Sequence, residues 1–153
     1  MAKLRVLIDS DVVINWLIKE KETSTGNDLW EAPHKIIEMA VSGNIVCYIS
    51  IVSLLEIQYV MRRKKSISEK QIYDDIERIT CQLEVLIPDE ITLIQAFNLQ
   101  KERPLDPFDS ILLAQVIREE IILVSRDSAF LEEAAKKCIS AFNPEDFLPQ
   151  VGE

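Results

Sequence analysis

Residues 4–17 (LRVLIDSDVVINWL) decide the fold. The segment opens with an apolar run, LRVLI, which predicts a short buried β-strand. The run stops at Asp9, with Asp11 close behind, and apolar residues then return at helical spacing. Open parallel sheets bind their ligands at the carboxyl ends of the strands. We therefore expect Asp9 to lie at a functional edge of such a sheet.

Strand-like and helix-like segments alternate along the rest of the chain. Further strands are predicted at residues 45–49, 83–87 and 121–124, with a short last strand at 138–140. Helices are predicted at residues 11–19, 30–42, 51–63, 66–82, 90–102, 106–119 and 128–137. This alternation implies right-handed crossovers. We predict an α/β protein with one domain over residues 1–153, built on a central parallel sheet of four to five strands with helices on both faces.

The composition is that of a compact globular protein: 48% of the residues are hydrophobic and only three are glycine. No apolar run reaches the roughly 20 residues that span a bilayer, and the first residues lack the pattern of a signal peptide. We expect a soluble, cytoplasmic protein that does not contact a membrane.

The cysteines and the histidine do not point to a catalytic or metal-binding site. Cys47, Cys81 and Cys138 are odd in number and widely spaced, so neither a disulfide framework nor a zinc site is predicted. Cys47 and Cys138 lie in strand-like runs and are expected in the core. His34 is the single histidine, which argues against a mechanism based on a histidine with a histidine or cysteine partner.

Four carboxylates, each at or near the end of an apolar segment, are the candidate functional residues: Asp9, Glu56, Asp109 and Asp127. Each also has an ordinary explanation. Asp9 and Asp127 could cap helices, and Asp109 follows the N-cap Asp106. Glu56 lies in IVSLLEIQYV, a helix that is apolar on nearly all sides and is therefore expected to be buried, and it could form a buried salt bridge. Together they predict one acidic cluster, which Mg²⁺ or Mn²⁺ would stabilise because these ions prefer carboxylate oxygens.

The motifs LIDSDVVINWL (7–17), ISIVSLLEI (49–57), DPFDSILLA (106–114) and LVSRDSAF (123–130) occur in the order found in PIN-domain proteins. The chain resembles in particular the VapC-type toxin ribonucleases, and the likeness extends to the terminal FNPEDF. It implies that Asp9, Glu56, Asp109 and Asp127 are the metal-binding and catalytic residues. Water activated at the metal would then hydrolyse RNA in line.

The same resemblance implies supporting residues and partners. Ser125 matches a small hydroxyl residue beside the last acid, and Asp11 stands where the family commonly has asparagine, so it could add a ligand or replace that polar support. We expect an RNA substrate rather than DNA, a small antitoxin protein as partner, and a homodimer.

The net charge of −9, from 17 basic and 26 acidic residues, argues against nonspecific nucleic-acid binding. Bound divalent cations would offset part of it. The compact basic run holds the candidate phosphate contacts Arg62, Arg63, Lys64 and Lys65, and Arg126 is a further candidate. The alternative for the run is a solvated helix C-terminus.

Three other functions stay open. The chain could be a PIN-type nuclease of RNA maturation or turnover with no toxin role. It could be a non-catalytic PIN-fold interaction module. The segment Asp9-Ser10-Asp11-Val12-Val13 also resembles the D-x-D-x-V signature of haloacid-dehalogenase-type phosphatases, although the motifs that should follow it are not evident.

Overall fold

The computed structural model describes residues 2–102 and 104–152. These residues contain a five-stranded sheet in the order β3-β2-β1-β4-β5, with every adjacent pair parallel. The strands are β1 (Arg5–Ile8), β2 (Val46–Ser50), β3 (Glu84–Leu86), β4 (Ile122–Val124) and β5 (Ala141–Phe142). The predicted α/β fold class is confirmed, and the first strand lies at the centre of the sheet.

Eight α-helices connect and flank the strands in the described part of the chain. They are α1 (Ser10–Ile18), α2 (Glu31–Val41), α3 (Ile51–Arg63), α4 (Glu69–Gln82), α5 (Glu90–Glu102), α6 (Pro107–Glu119), α7 (Ser128–Lys136) and α8 (Pro144–Phe147). A short 3₁₀ helix, Leu148–Val151, follows the last of them. None of the helices in residues 2–102 and 104–152 is long and apolar enough to cross a bilayer.

Each face of the sheet carries its own core because successive side chains of a strand point to opposite faces. Val6 and Ile8 of β1 belong to a cluster with residues of α1, α2, α3 and α4. Leu7, between them, belongs to a second cluster with residues of α5, α6 and α7. All three side chains are fully buried, as expected for a central strand covered on both faces.

The strand-to-helix turns place polar side chains at the carboxyl edge of the sheet. Asp9 follows β1 and caps α1, and Ser50 ends β2 and caps α3. Asp127 follows β4 and caps α7, while Asp106 caps α6 and Pro107 occupies its first position. Each cap satisfies backbone N–H groups that the first turn of a helix leaves without partners. The same turns gather several carboxylates in one region.

Three expectations about local structure were wrong, and one of them is the core position expected for Cys138, which is exposed. The last strand is Ala141–Phe142 rather than residues 138–140, because Cys138 adopts a positive φ of 61° in the turn after α7 and is exposed. Helix α3 is not buried on all sides, since the Leu55 side chain is 60% exposed and Tyr59 is also exposed. The apolar residues of α3 therefore lie on two faces of the helix: one face packs on the core, and the other is exposed to solvent.

Candidate functional site

Asp9 is the most buried of the predicted acids, at 5% exposure. Its Oδ1 accepts a hydrogen bond from the Ser10 amide at 2.7 Å, and its Oδ2 accepts one from Ser125 Oγ at 2.8 Å. Burial raises the pKa of Asp9 well above its ordinary value, the charges of Asp11 and Asp109 add to this, and the Ser125 hydrogen bond opposes it. The carboxylate is thus held in place by two donors but disfavoured as an anion.

Glu56 reaches the same region from α3. The Ser10 hydroxyl donates to Glu56 Oε1 and lies 3.4 Å from Asp9 Oδ1, so Ser10 connects the two carboxylates. The side chain is half-buried, and no ion pair to Glu56 exists among the described residues. The structural salt bridge considered as the alternative is therefore absent from residues 2–102 and 104–152.

Asp109, in the first turn of α6, is where the acids converge. Burial and, to a smaller extent, the charges of Asp106, Asp127 and Glu56 together raise its pKa to about 7. Asp109 also raises the pKa of Asp9. Asp109 therefore interacts electrostatically with each of the other three predicted acids, and we refer to the region between the four as the shared volume.

Asp127 borders this volume from the turn after β4. Its Oδ1 accepts a hydrogen bond from the Phe130 amide at 3.2 Å, and its own amide donates to Ser125 Oγ at 3.1 Å. Ser125 thus accepts from the Asp127 backbone and donates to Asp9. The residue itself is solvent-exposed, which places its carboxylate at the open rim of the cluster.

Asp11 lies next to the shared volume, because its charge raises the pKa of Asp9 and the charge of Asp127 raises its own pKa. Its Oδ1 accepts from the Val12 amide at 2.7 Å and its Oδ2 from the Arg126 amide at 3.1 Å. Burial raises its pKa to about 6, although those two amides and the Arg126 guanidinium act in the opposite direction. The two amide donors fix the Asp11 carboxylate in the turn, so the structure gives it a supporting role.

Arg126 differs from its predicted use as a phosphate contact. Its guanidinium donates to Asn15 Oδ1, to the Leu29 carbonyl at 2.7 Å and to Glu145 at 2.8 and 3.1 Å. These acceptors belong to α1, the loop before α2, and α8. The guanidinium is therefore committed to protein acceptors, and its role is to fix the turn that carries Ser125 and Asp127.

The predicted basic run divides into two parts. Arg62 forms an ion pair with Glu69 of α4, with Nη2 2.9 Å from Oε2. Lys64 and Lys65 instead line a cavity that also contains Ser10, Asp11 and Glu56. Arg63 is exposed at the end of α3. Only the second part of the run therefore lies beside the acidic cluster.

Three residues near the cluster were missed by the sequence reasoning. Ser10 connects Asp9 to Glu56, and Asn15 bonds both Arg126 and Glu20. Asp106, assigned only as a cap, also faces Asp109. The sequence contains a hint of two of these residues. Ser10 lies between two candidate acids, and Asn15 is a polar residue on the apolar face of a short helix.

The donor set fits a hard divalent cation. It consists of carboxylate oxygens that repel one another, with half-buried Asp109 at the centre, and oxygen-rich acidic sites are those that Mg²⁺ and Mn²⁺ prefer. In residues 2–102 and 104–152, no three acidic, histidine or cysteine side chains already stand in a coordinating arrangement.

Comparison with known proteins identifies the family. The PIN domain model matches residues 6–137, so the chain belongs to the PIN domain family. This membership confirms the expected resemblance and removes the haloacid-dehalogenase alternative. No curated protein sequence is significantly similar to the chain.

Solved structures share the fold at low sequence identity. PAE2754 from Pyrobaculum aerophilum has a TM-score of 0.70 and 13% identity, covering 97% of this chain and 89% of that one. VapBC2 from Rickettsia felis, bound to a promoter DNA fragment, has a TM-score of 0.70 and 15% identity, covering 92% and 98%. DNA-bound VapBC from Salmonella typhimurium has a TM-score of 0.69 and 16% identity, with the same coverages. The chain is thus structurally similar to components of toxin–antitoxin complexes.

The raised pKa of Asp109 predicts how stability depends on pH without metal. The native state binds the Asp109 proton more tightly than the unfolded chain, whose pKa is near 3.8. The free energy of unfolding should therefore fall as pH rises from about 4 to 7, and the loss should be complete above 7. Asp109→Asn should remove this contribution and stabilise the protein at pH 8 by about 1–2 kcal/mol, after a discount for solvent screening.

Urea unfolding in EDTA between pH 4 and 8 measures this difference. Asp74→Asn, at an exposed carboxylate of α4, is the matched control and should follow the wild type. A wild-type curve parallel to that of Asp109→Asn over the whole range would contradict the prediction.

Proposed function

We propose that this PIN domain is a Mg²⁺- or Mn²⁺-dependent endoribonuclease. The observation that carries the proposal is the convergence of Asp9, Glu56 and Asp127 on Asp109. PIN domains are generally nucleases, and the present chain retains four carboxylates in one volume. RNA rather than DNA is the proposed substrate, and the cytoplasm is the proposed location.

The residues of the chain have separable roles in this proposal. Asp9, Glu56, Asp109 and Asp127 would hold the cation, which supplies positive charge to the scissile phosphate and activates water. Ser125 keeps Asp9 oriented through its 2.8 Å hydrogen bond. Ser10 occupies the space between Asp9 and Glu56. Arg126 holds the turn of Asp127 against α1 and α8.

Substitution of the central acids tests the activity. Asp9→Asn and Asp109→Asn should each lower Mn²⁺-dependent cleavage of single-stranded RNA by at least about 100-fold, the effect expected when transition-state charge loses its stabilisation. The variants should fold, because each removes a like charge from the cluster. Cleavage is measured on a 5′-labelled RNA pool with and without EDTA.

Asp74→Asn controls for the loss of one surface charge. Wild-type cleavage in either site variant would refute the assigned site. Folded wild-type protein that cleaves no RNA with either metal would favour a second function, the non-catalytic interaction module, for which the exposed apolar surfaces described below are the supporting observation.

A toxin role would require an antitoxin, and a groove of about 1060 Å³ suits such a partner. It runs between α1, α2 and α4, with Trp16, Trp30 and Val41 among its apolar residues. Lys19 and Arg78 stack on its two tryptophans at 5.2 and 4.3 Å from the ring centroids. Cations beside aromatic rings in an acidic protein favour an amphipathic helix with acidic residues.

Co-expression with the protein encoded by the adjacent gene tests this partner. The neighbour should co-purify with the wild type and suppress its growth inhibition. Val41→Glu, at a groove residue that is 62% exposed, should abolish co-purification because it introduces a repelling charge. Tyr73→Glu, at an exposed α4 residue outside the groove lining, is the control. Harmless expression with no bound neighbour would favour a role in RNA maturation or turnover.

A homodimer is proposed through a second apolar surface. Ser50 of β2 pairs with Leu86 of β3, so Ile51 and Ile87 leave the sheet side by side. The exposed apolar residues of α3 and of the segment from Ile87 into α5 include Ile51, Leu55, Tyr59, Ile87, Ile91 and Ile94, and we propose that they form one surface. Large exposed apolar patches commonly mark interfaces, and a two-fold contact of α3 and α5 with a second copy would cover this one.

Ile94→Glu tests the dimer, because the Ile94 side chain is 62% exposed and its loss should leave the fold intact. Light scattering after size exclusion should give a dimeric mass for the wild type and for Tyr73→Glu, and a monomeric mass for Ile94→Glu. A monomeric wild type at micromolar concentration would refute this interface.

A further inference from the structure

A cavity of about 320 Å³ adjoins the acidic cluster at Glu56, and two lysines are among its lining residues. Ser10, Asp11 and Glu56 form its boundary with the acidic cluster, Ile14 and Val60 contribute apolar surface, Asn15 and Glu20 form a further wall, and Lys64 and Lys65 supply its positive charge. We refer to these nine residues as the lysine pocket. We infer that the lysine pocket binds one nucleotide of single-stranded RNA next to the cleaved bond, with Lys64 at its phosphate. The inference rests on the proposed nuclease function.

The size and lining of the lysine pocket favour a single nucleotide. Its volume lies at the lower end of small-molecule sites, which span roughly 300–1,000 Å³. Ile14 is buried, and Val60 is half-buried, so a base could lie against aliphatic side chains while its sugar and phosphate stay near solvent. Proteins read RNA mainly through unstacked bases of single strands. A paired or stacked base would not enter a cavity of this size.

Charge distinguishes Lys64 from its neighbours in the basic run. Arg62 is paired with Glu69, and Lys65 Nζ lies 3.0 Å from Glu20 Oε2. Lys64 has no ion pair within residues 2–102 and 104–152. An RNA strand that approaches the acids is repelled by them, so a free ammonium beside the acids is the group best placed to attract a phosphate.

Glu20 positions the other lysine and ties the lysine pocket to the acidic site. Its Oε2 holds Lys65, while its Oε1 accepts a hydrogen bond from Asn15 Nδ2 at 3.1 Å. Asn15 in turn accepts from Arg126, whose backbone adjoins Asp127. One wall of the lysine pocket is therefore connected by side-chain hydrogen bonds to the turn that carries an active-site acid. Glu20 and Asn15 thereby fix the position of the bound nucleotide relative to the acids.

Binding to a 5′-fluorescein single-stranded RNA decamer, measured by fluorescence anisotropy in EDTA, tests the pocket apart from catalysis. Lys64→Gln should weaken binding about three- to tenfold and lower the salt slope of log K by about 0.7, the value for one phosphate contact on a single strand. Lys64→Arg should keep most of the affinity because it keeps the charge. Lys70→Gln, at an exposed lysine of α4 outside the pocket, should bind within twofold of the wild type.

The outcomes separate the pocket from the proposed activity. Equal losses in Lys64→Gln and Lys70→Gln, or no loss in Lys64→Gln, would overturn the lysine pocket even if the protein cleaves RNA. A selective loss in Lys64→Gln together with absent cleavage in Mg²⁺ and Mn²⁺ would support the pocket and refute the nuclease. Full binding of the matching double-stranded RNA would contradict the single-strand requirement.

Discussion

Repulsion between carboxylates at the carboxyl edge of the sheet is the constraint on which the rest of the structure depends. Asp109 meets Asp106, Asp127 and Glu56 while partly removed from water, and its pKa rises to about 7. Such a concentration of negative charge opposes folding. The chain tolerates it because hydrogen bonds and helix caps hold the individual acids, and because a cation of the kind these oxygens prefer would relieve it.

An acid at this edge of the sheet can cap a helix and also belong to the functional site, and the hydrogen bonds around the acids show how. Asp9 and Asp127 each cap a helix with one oxygen, which fixes the carboxylate and lets it border the shared volume. Ser125 joins the two turns through hydrogen bonds to both. Arg126 then ties this unit to α1, the following loop and α8. A helix cap is therefore also a way of orienting an acid.

The same edge of the sheet presents surfaces of opposite character. The acids lie beside the lysine pocket, and one turn of α3 carries both Glu56, directed at Ser10, and the exposed Leu55. Helix α3 thus separates a polar site from an apolar surface. Its sequence, IVSLLEIQYV, suggested burial on every side, yet an apolar residue can face either a core or a partner and the periodicity is the same.

The sequence by itself determined the alternating strands and helices, the caps and the four candidate acids, because these depend on local spacing and side-chain chemistry. It placed the last strand too early, because Cys138 adopts a positive φ and belongs to the turn before the strand. It also predicted Arg126 as a contact to an RNA phosphate. Only the tertiary structure decided that Ser10 connects Asp9 to Glu56, that Arg126 is used within the protein, and that Lys64 and Lys65 border the acids. Such contacts join residues far apart in the chain, and their geometry follows from how the helices pack on the sheet.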